Sequence, residues 1–239
     1  MAISGLPGKE WGKAPQKLTV ELCVVLLVSD AADTRRQAAE WLADESDARA
    51  FDALVTVARD RNERSDVRTW AIRGLGRLGD ARAFPLLLEL LQEEGDDIRA
   101  EAAFALGLLG HGEALAPLLR TLSEAAGSKV RALAATGLGY LGDTHAVKPL
   151  IVALSDPDEH VRICFIAALG RLGDARATPA LSAILCSQQE HTSYEGKQAA
   201  RGLGKIGGEI AVASLQWAAQ RATAREVRIA ATKALKSLI

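Results

Sequence analysis

Residues 161–174 read VRICFIAALGRLGD, and this stretch combines the pattern of an amphipathic helix with a signal that ends it. The apolar residues Phe165, Leu169 and Leu172 recur at the spacing of one helix face. Gly173 suits the left-handed conformation in which many helices end. The stretch therefore predicts a helix that packs along one side and stops at a tight corner.

The corner that ends this stretch returns along the chain. Its variants are RGLGRLGD, FALGLLGH, TGLGYLGD, AALGRLGD and RGLGKIGG, and their second glycines are Gly79, Gly110, Gly142, Gly173 and Gly207. The spacings of 31, 32, 31 and 34 residues lie in the range of stacked helical repeats. Flanking letters repeat as well, since DARAF begins at Asp47 and Asp80 and DARAT begins at Asp174. An aspartate at this corner can cap the next helical segment with its side-chain oxygen.

A second helix follows each corner. Segments such as AFPLLLELL, ALAPLLRTL and AVKPLIVAL are amphipathic, and each carries a proline in or near its first turn, where a missing N–H is tolerated. One hairpin of two helices cannot bury both apolar faces by itself, so the hairpins must stack on one another. The sequence therefore predicts an all-α protein, a curved α-solenoid of about seven helical hairpins.

Gly170 lies inside a predicted helix, where glycine costs about 1 kcal/mol relative to alanine. We expect close approach of a neighbouring backbone to compensate for that cost.

Composition limits the class of protein. Almost half of the residues (49%) are apolar, and Lys plus Arg (29) nearly balance Asp plus Glu (30). The net charge of -1 gives no global basic field, which argues against a nucleic-acid partner. Three scattered cysteines are too few for a disulfide framework, so a cytoplasmic location is expected. The apolar run at residues 18–28 is interrupted by Glu21 and is far shorter than a membrane span of about 20 residues, so no membrane is expected.

The repeats divide the chain into an N-terminal tail, residues 1–16, and a single solenoid, residues 17–239. One repeat is lengthened by the polar segment SQQEHTSYEG at residues 187–196, which puts Glu195 and Gly196 in place of the Val-Arg pair. Insertions in repeat proteins often contact partners, and His191 and Tyr194 are the candidate contacts here. A neutral solvent loop is the alternative.

The pattern VRxxAxxALGxLGD followed by AxxPLLxLL resembles the HEAT-like repeats named after phycobilin lyases, over about Leu18 to Ile239. The opening LTVE at residues 18–21, followed by RRQAAEWLA, also resembles the start of E-type phycobilin lyase subunits. That helix usually has more aromatic residues in the family and here keeps only Trp41. The resemblance implies the solenoid shape more than an activity, because such repeats serve lyases, chromophore-handling proteins and scaffolds alike.

The resemblance also implies a ladder along the stack. In the general HEAT family an Asp six residues before the repeat arginine pairs along the stack. Asp156 before Arg162 matches this pattern, and Glu93 before Arg99 is a conservative variant. We therefore expect an incomplete ladder.

Function is expected in the positions that vary between repeats. In HEAT-like stacks the second helix of each hairpin lines the concave side, and here its variable positions carry an apolar middle bordered by basic residues. This arrangement predicts a groove for an amphipathic partner or a flat acidic ligand, unless some of these side chains pack inside the superhelix. The candidate groove residues are Trp41, Trp70, Arg73, Arg77, Phe104, Leu108, Leu133, Tyr140, Ile163, Arg171, Arg201 and Lys205.

No catalytic constellation stands out in the sequence. The four histidines are far apart, so no metal site is expected, and each LGxLG motif closes a helix instead of cradling a phosphate. We therefore expect a non-catalytic interaction scaffold without a cofactor, which binds a segment of another protein or a second HEAT-like subunit. The alternative is a bilin lyase-like subunit that binds a phycobiliprotein. Its groove would hold an open-chain tetrapyrrole, with Arg73 and Arg77 at the propionates.

Overall fold

The structure is a computed structural model that describes residues 18–93, 95–187 and 193–238. Within these ranges the chain forms fourteen α-helices joined by short turns and contains no strand, which confirms the all-α prediction. None of these helices is both long enough and apolar enough to cross a membrane. The predicted tail, residues 1–16, lies outside the described residues.

The helices pair in chain order into seven hairpins, as predicted. The first four hairpins are α1 (Val20–Leu26) with α2 (Ala32–Glu45), α3 (Phe51–Arg59) with α4 (Ser65–Leu78), α5 (Phe84–Leu90) with α6 (Asp96–Leu109), and α7 (Leu115–Glu124) with α8 (Ser128–Leu141). The last three are α9 (Val147–Val152) with α10 (Glu159–Leu172), α11 (Thr178–Cys186) with α12 (Ser193–Ile206), and α13 (Glu209–Arg221) with α14 (Arg225–Lys236).

The corners have the predicted conformation. Gly173 ends α10 with φ of 67°, in the left-handed region that favours glycine. The carboxylate of Asp174 then accepts a hydrogen bond of 2.8 Å from the Arg176 amide and opens a short turn that leads into α11. On α10 itself, Phe165 and Leu169 are buried as predicted, whereas Leu172 beside the corner is only half-buried. One glycine and one aspartate thus reverse the chain between hairpins.

Consecutive second helices pack closely because small residues meet between them. A Cβ placed on Gly170 would lie 2.6 Å from the Cα of Gly202 on α12, and one on Gly76 would lie 2.7 Å from the Cα of Ala105 on α6. The expected close approach at Gly170 is therefore confirmed. The second helices touch one another from α2 to α14, whereas first helices contact their neighbours less. Since the more tightly spaced layer of a curved stack is the inner one, the second helices form the concave face.

An arginine ladder joins the hairpins. The guanidinium of Arg131 donates two hydrogen bonds, of 2.7 and 3.1 Å, to the carboxylate of Asp156 in the next hairpin. Its remaining nitrogen donates to the carbonyl oxygens of Ala125 and Ala126, which close the corner before α8. Each such rung therefore fixes one corner and ties it to the following repeat.

The ladder has more rungs than the sequence pattern predicts. Equivalent pairs join Arg35 to Glu63, Arg68 to Glu93, and Arg162 to Glu195. The ladder is nevertheless incomplete, as expected. At the place where the next repeat would supply an acidic partner for Arg99, the chain has Ala125. Arg99 instead pairs with Asp96 of its own helix, and its buried Nε has no hydrogen-bond partner among the described residues.

The outer face of the last hairpin is polar. In α10, Ile166 is buried and Gly170 meets α12, whereas α14 carries the exposed Thr232 and Lys236 at the matching positions. The face of α14 is therefore unlike the surfaces on which the interior hairpins stack.

Candidate functional site

The concave face carries a continuous series of aromatic rings and guanidinium groups across α4, α6, α8 and α10. We call this series the aromatic band, and it consists of Trp70, Arg73, Phe104, Tyr140 and Arg171. All of these side chains lie on second helices, which the glycine contacts bring close together. The tight spacing of the helices is therefore what places rings from different repeats within contact of one another.

Arg73 lies at the centre of one half of the band. Its guanidinium carbon is 4.8 Å from the ring centroid of Trp70 and 5.6 Å from that of Phe104, both within the range of cation–π interaction. Two hydrogen bonds, of 2.6 and 2.8 Å, join it to the carboxylate of Glu101 on α6. The bond to Glu101 raises the pKa of Arg73 above its ordinary value. Arg73 is thus a fixed, charge-compensated platform between two rings.

The other half of the band centres on Tyr140, which is 45% exposed. Its ring packs edge-on to Phe104, with centroids 5.5 Å apart, and the guanidinium carbon of Arg171 lies 3.8 Å from its centroid. Aromatic pairs with this geometry attract each other beyond their burial of area. The accessible surface of Tyr140 is consequently held in place from both sides.

A cavity of about 460 Å³ lies beside the Trp70 end of the band. Its lining includes Trp70, Arg73, Leu133, Lys129 and His160, which come from α4, α8 and α10. This volume falls in the range of small-molecule sites, and its mixture of one large ring with polar groups suits an amphipathic ligand.

The structure places the other predicted groove residues in different surroundings. Trp41 and Trp70 are half-buried and pack partly against the core, which leaves part of each side chain accessible. Leu108, Leu133 and Ile163 are half-buried on the same second helices. Arg77 pairs with Asp44 of α2, whereas Arg201 and Lys205 line a separate cavity near α14.

The predicted insertion is described only in part. Tyr194 lies in the first turn of α12 and is 64% exposed, which agrees with a solvent-facing position. His191 lies outside the described residues. Glu195 has an unexpected position, because its side chain is buried and pairs with Arg162 at 2.6 Å. The insertion thus supplies a rung of the ladder from the position that carries valine in most other repeats.

Sequence reasoning missed the carboxylate that neutralises Arg73. Glu101 lies among the variable concave positions, yet its side chain is only 5% exposed and serves Arg73. The signal that could have found it is an acidic residue at a concave position one repeat after an arginine.

Cys164 and His160 approach each other on α10, with Sγ and Nε2 4.0 Å apart. Burial raises the pKa of the Cys164 thiol above its ordinary value, although a bond to Thr136 acts in the opposite direction. A nucleophilic cysteine needs a lowered pKa. The raised pKa therefore does not favour Cys164 as a nucleophile.

Comparison with known families agrees with this geometry. The model of HEAT repeats matches residues 19–107 and 115–192, which together form more than half of the chain. The chain belongs to the HEAT-repeat family. The model of the PBS lyase HEAT-like repeat matches residues 98–124, which contain most of α6 and all of α7. No match was found among curated proteins.

Three solved structures of different origin have folds similar to this one. A chain from the structure of the complex of CpcE and CpcF of phycocyanin lyase from Nostoc sp. matches with a TM-score of 0.62 and 23% identity. The match covers 100% of this chain and 100% of that one. YibA of Escherichia coli matches with a TM-score of 0.55 and 18% identity, over 91% of this chain and 81% of that one. An engineered protein matches with a TM-score of 0.51 and 24% identity, over 92% and 68%. At these identities the similarity establishes the fold.

Proposed function

We propose that this HEAT-repeat protein is a non-catalytic scaffold that binds a segment of a partner protein on its concave face. The aromatic band is the observation that carries the proposal. Trp, Tyr and Arg are the residue types that dominate binding energy at protein interfaces. Here they are already ordered by their mutual contacts, so little side-chain freedom remains to be lost on binding.

The exposed ring of Tyr140 gives the proposal a direct test. A photoreactive phenylalanine analogue at Tyr140 should crosslink the partner, whereas the same analogue at Val152 of the outer helix α9 should not. Val152 is 71% exposed and therefore at least as accessible as Tyr140 to any protein in solution. Equal crosslinking from both positions, or from neither, would contradict binding at the concave face.

A second repeat protein belongs among the proposed partners. The structurally similar protein from Nostoc sp. is a complex of two subunits, CpcE and CpcF. For the present chain, a partner of that kind would be found by crosslinking from Tyr140 followed by mass spectrometry of the linked peptide.

The cavity beside Trp70 supports a second candidate function, a bilin lyase-like subunit that holds an open-chain tetrapyrrole. The flat ring of Trp70 and a volume of about 460 Å³ suit part of such a ligand. The propionates would have to compete with Glu101 for Arg73 and with Asp44 for Arg77. Binding is therefore expected to be weaker than at two unpaired arginines.

This second function is tested by colour. Phycocyanobilin added to the protein should show a shifted and stronger red absorption band, and Leu133→Glu should remove the shift by placing a negative charge in the cavity. Leu133 is a better site than Arg73 for this change, because Arg73→Glu would put two carboxylates together and disturb folding. If the absorption spectrum of the bilin stays unchanged, both with the protein alone and after addition of the partner identified by crosslinking, this candidate function is ruled out.

A further inference from the structure

The cations of the concave face differ in their ion pairing between the two ends of the stack. Toward the N-terminus they are neutralised, since Arg36 pairs with Glu40, Arg73 with Glu101, Arg77 with Asp44, and Lys129 with Asp97. Toward the C-terminus, α10, α12 and α14 present cations that have no ion pair with any described residue. These are Arg171, Lys197, Arg201, Lys205, Lys233 and Lys236.

These six cations surround a groove of about 860 Å³, which we call the basic groove. Glu226 is its single acidic lining residue among those described, so the groove is strongly positive although the whole chain has a net charge of -1. Like charges held close together repel one another and cost stability. An opposite charge from outside the described chain would relieve that repulsion.

The floor of the basic groove is apolar and made of small residues. It includes Gly170, Gly202, Ala230 and Ala234, together with Ile229, which is 57% exposed. Apart from Ile229, the named residues of this floor have no long side chain, so the backbone of a bound segment can come close to the helices. The groove therefore combines an apolar floor with cationic walls.

The cations have the spacing of a helix. Lys197, Arg201 and Lys205 follow one another at every fourth residue of α12, so they are about 6 Å apart along its axis. Carboxylates at every fourth residue of a second helix have the same spacing. A helix also satisfies its own backbone hydrogen bonds. An extended segment would leave its backbone groups beside walls that offer side-chain cations instead of a sheet edge.

We infer that the basic groove binds an acidic amphipathic helix of a partner protein, with its carboxylates toward α12 and its apolar side on the floor. This inference rests on the proposed scaffold function and specifies the chemistry of the partner. A protein helix fits this groove better than single-stranded nucleic acid, because the described residues of its lining include no aromatic ring on which bases could stack.

The test uses the full chain and a fluorescein-labelled helical peptide with glutamate at every fourth position and Ala and Leu on the opposite side. Fluorescence anisotropy should show binding that weakens as salt is added. The same peptide with Gln in place of Glu should bind at least about tenfold more weakly. No binding of the acidic peptide at low salt would overturn the inference.

A matched pair of variants locates the site. Arg201→Glu with Lys205→Glu should weaken peptide binding at least about tenfold. Arg120→Glu with Lys148→Glu changes the net charge equally on the outer helices α7 and α9 and should leave affinity within about twofold. Arg201→Gln with Lys205→Gln repeats the test without reversing charge, and circular dichroism confirms the fold of each variant. Equal losses in both charge-reversal variants would overturn the inference.

Two further outcomes separate the possible failures. Tighter binding of a single-stranded oligonucleotide than of the acidic peptide would replace the protein helix by nucleic acid. The partner identified by crosslinking from Tyr140 provides the second outcome. If it binds the Arg201→Glu, Lys205→Glu variant with the same affinity as the wild type, the basic groove is dispensable and this inference falls. The scaffold function would then still stand.

Discussion

Arg73 and Glu101 join α4 to α6 through two hydrogen bonds of 2.6 and 2.8 Å, and Glu101 is the more buried of the two. A buried carboxylate is stable only with its partner, because the loss of the partner leaves a charge in a poorly hydrated place. The pair therefore fixes the distance between two repeats at the point where the aromatic band begins.

Arg73→Leu should consequently destabilise the protein by about 1–3 kcal/mol, since Glu101 would keep its charge without a partner. Arg73→Leu with Glu101→Leu should recover a large part of that loss. Urea unfolding followed by circular dichroism measures both variants. A double variant as unstable as the single one would show that the cost comes from lost packing instead of an unpaired charge.

Gly107 and Gly137 form the tightest contact between second helices, α6 and α8, where an added Cβ would overlap the neighbouring backbone. Gly107→Ala should destabilise the protein, although the same exchange in an unhindered helix stabilises by about 1 kcal/mol. Gly112→Ala is the control, because a Cβ at Gly112 meets nothing within 4 Å. Thermal unfolding of the two variants should differ in favour of Gly112→Ala. Equal melting temperatures would contradict the close approach.

The missing rung of the ladder suggests a stabilising substitution. Ala125 occupies the position that Asp156 has in the next repeat. The carbonyl oxygen of Ala125 accepts a hydrogen bond from Arg131, and that of Asp156 accepts the equivalent bond from Arg162. Ala125→Asp should give Arg99 an acidic partner and add about 1 kcal/mol, or about 2–4 °C in melting temperature. The gain should vanish when Arg99 is replaced by Met. A gain that persists without Arg99 would assign the effect to something other than the rung.

The ladder also sets a pH dependence. Burial by itself raises the pKa of Asp156, but hydrogen bonds from Arg131 and the Asp158 amide outweigh it, and the pKa ends below its ordinary 3.8. The bond from Arg35 likewise lowers the pKa of Glu63 below 4.5. Groups with a lowered pKa stabilise the fold above their ordinary pKa and lose this effect as pH falls through the lowered one. Unfolding free energy should therefore fall as pH drops below about 4.5.

The variant Asp156→Asn should have a flatter stability profile in this acid range, because one of the titrating groups is removed. Asp52→Asn, at an exposed position on α3, is the control and should follow the wild type. Parallel profiles for Asp156→Asn and the wild type would exclude Asp156 from the acid transition.

The parts of the fold that depend on local sequence were predictable. The corners could be predicted from glycine, because a positive φ excludes most other residues. A positive φ is adopted by each of the five corner glycines, Gly79, Gly110, Gly142, Gly173 and Gly207. The partner of Arg73 and the role of Glu195 were not predictable in the same way. Which acid meets which arginine depends on the offset between neighbouring repeats, and that offset follows from the packing of the whole stack.

The aromatic band allows folding and binding to be separated. Trp70 packs partly against the core, so Trp70→Ala should lower both the melting temperature and the affinity for the partner. Tyr140 is 45% exposed and touches mainly Phe104 and Arg171. Tyr140→Ala should therefore leave the melting temperature close to that of the wild type.

Partner affinity should nevertheless fall at least about tenfold in Tyr140→Ala, because a fixed and exposed tyrosine is typical of an interface anchor. Isothermal titration calorimetry with the partner identified by crosslinking measures the affinity, and differential scanning calorimetry measures the melting temperature. Tyr140→Phe, which keeps the ring and its contacts, should bind within about threefold of the wild type if the ring surface provides the energy. If Tyr140→Ala loses melting temperature in proportion to affinity, the ring serves the stack, and the binding site must lie elsewhere on the concave face.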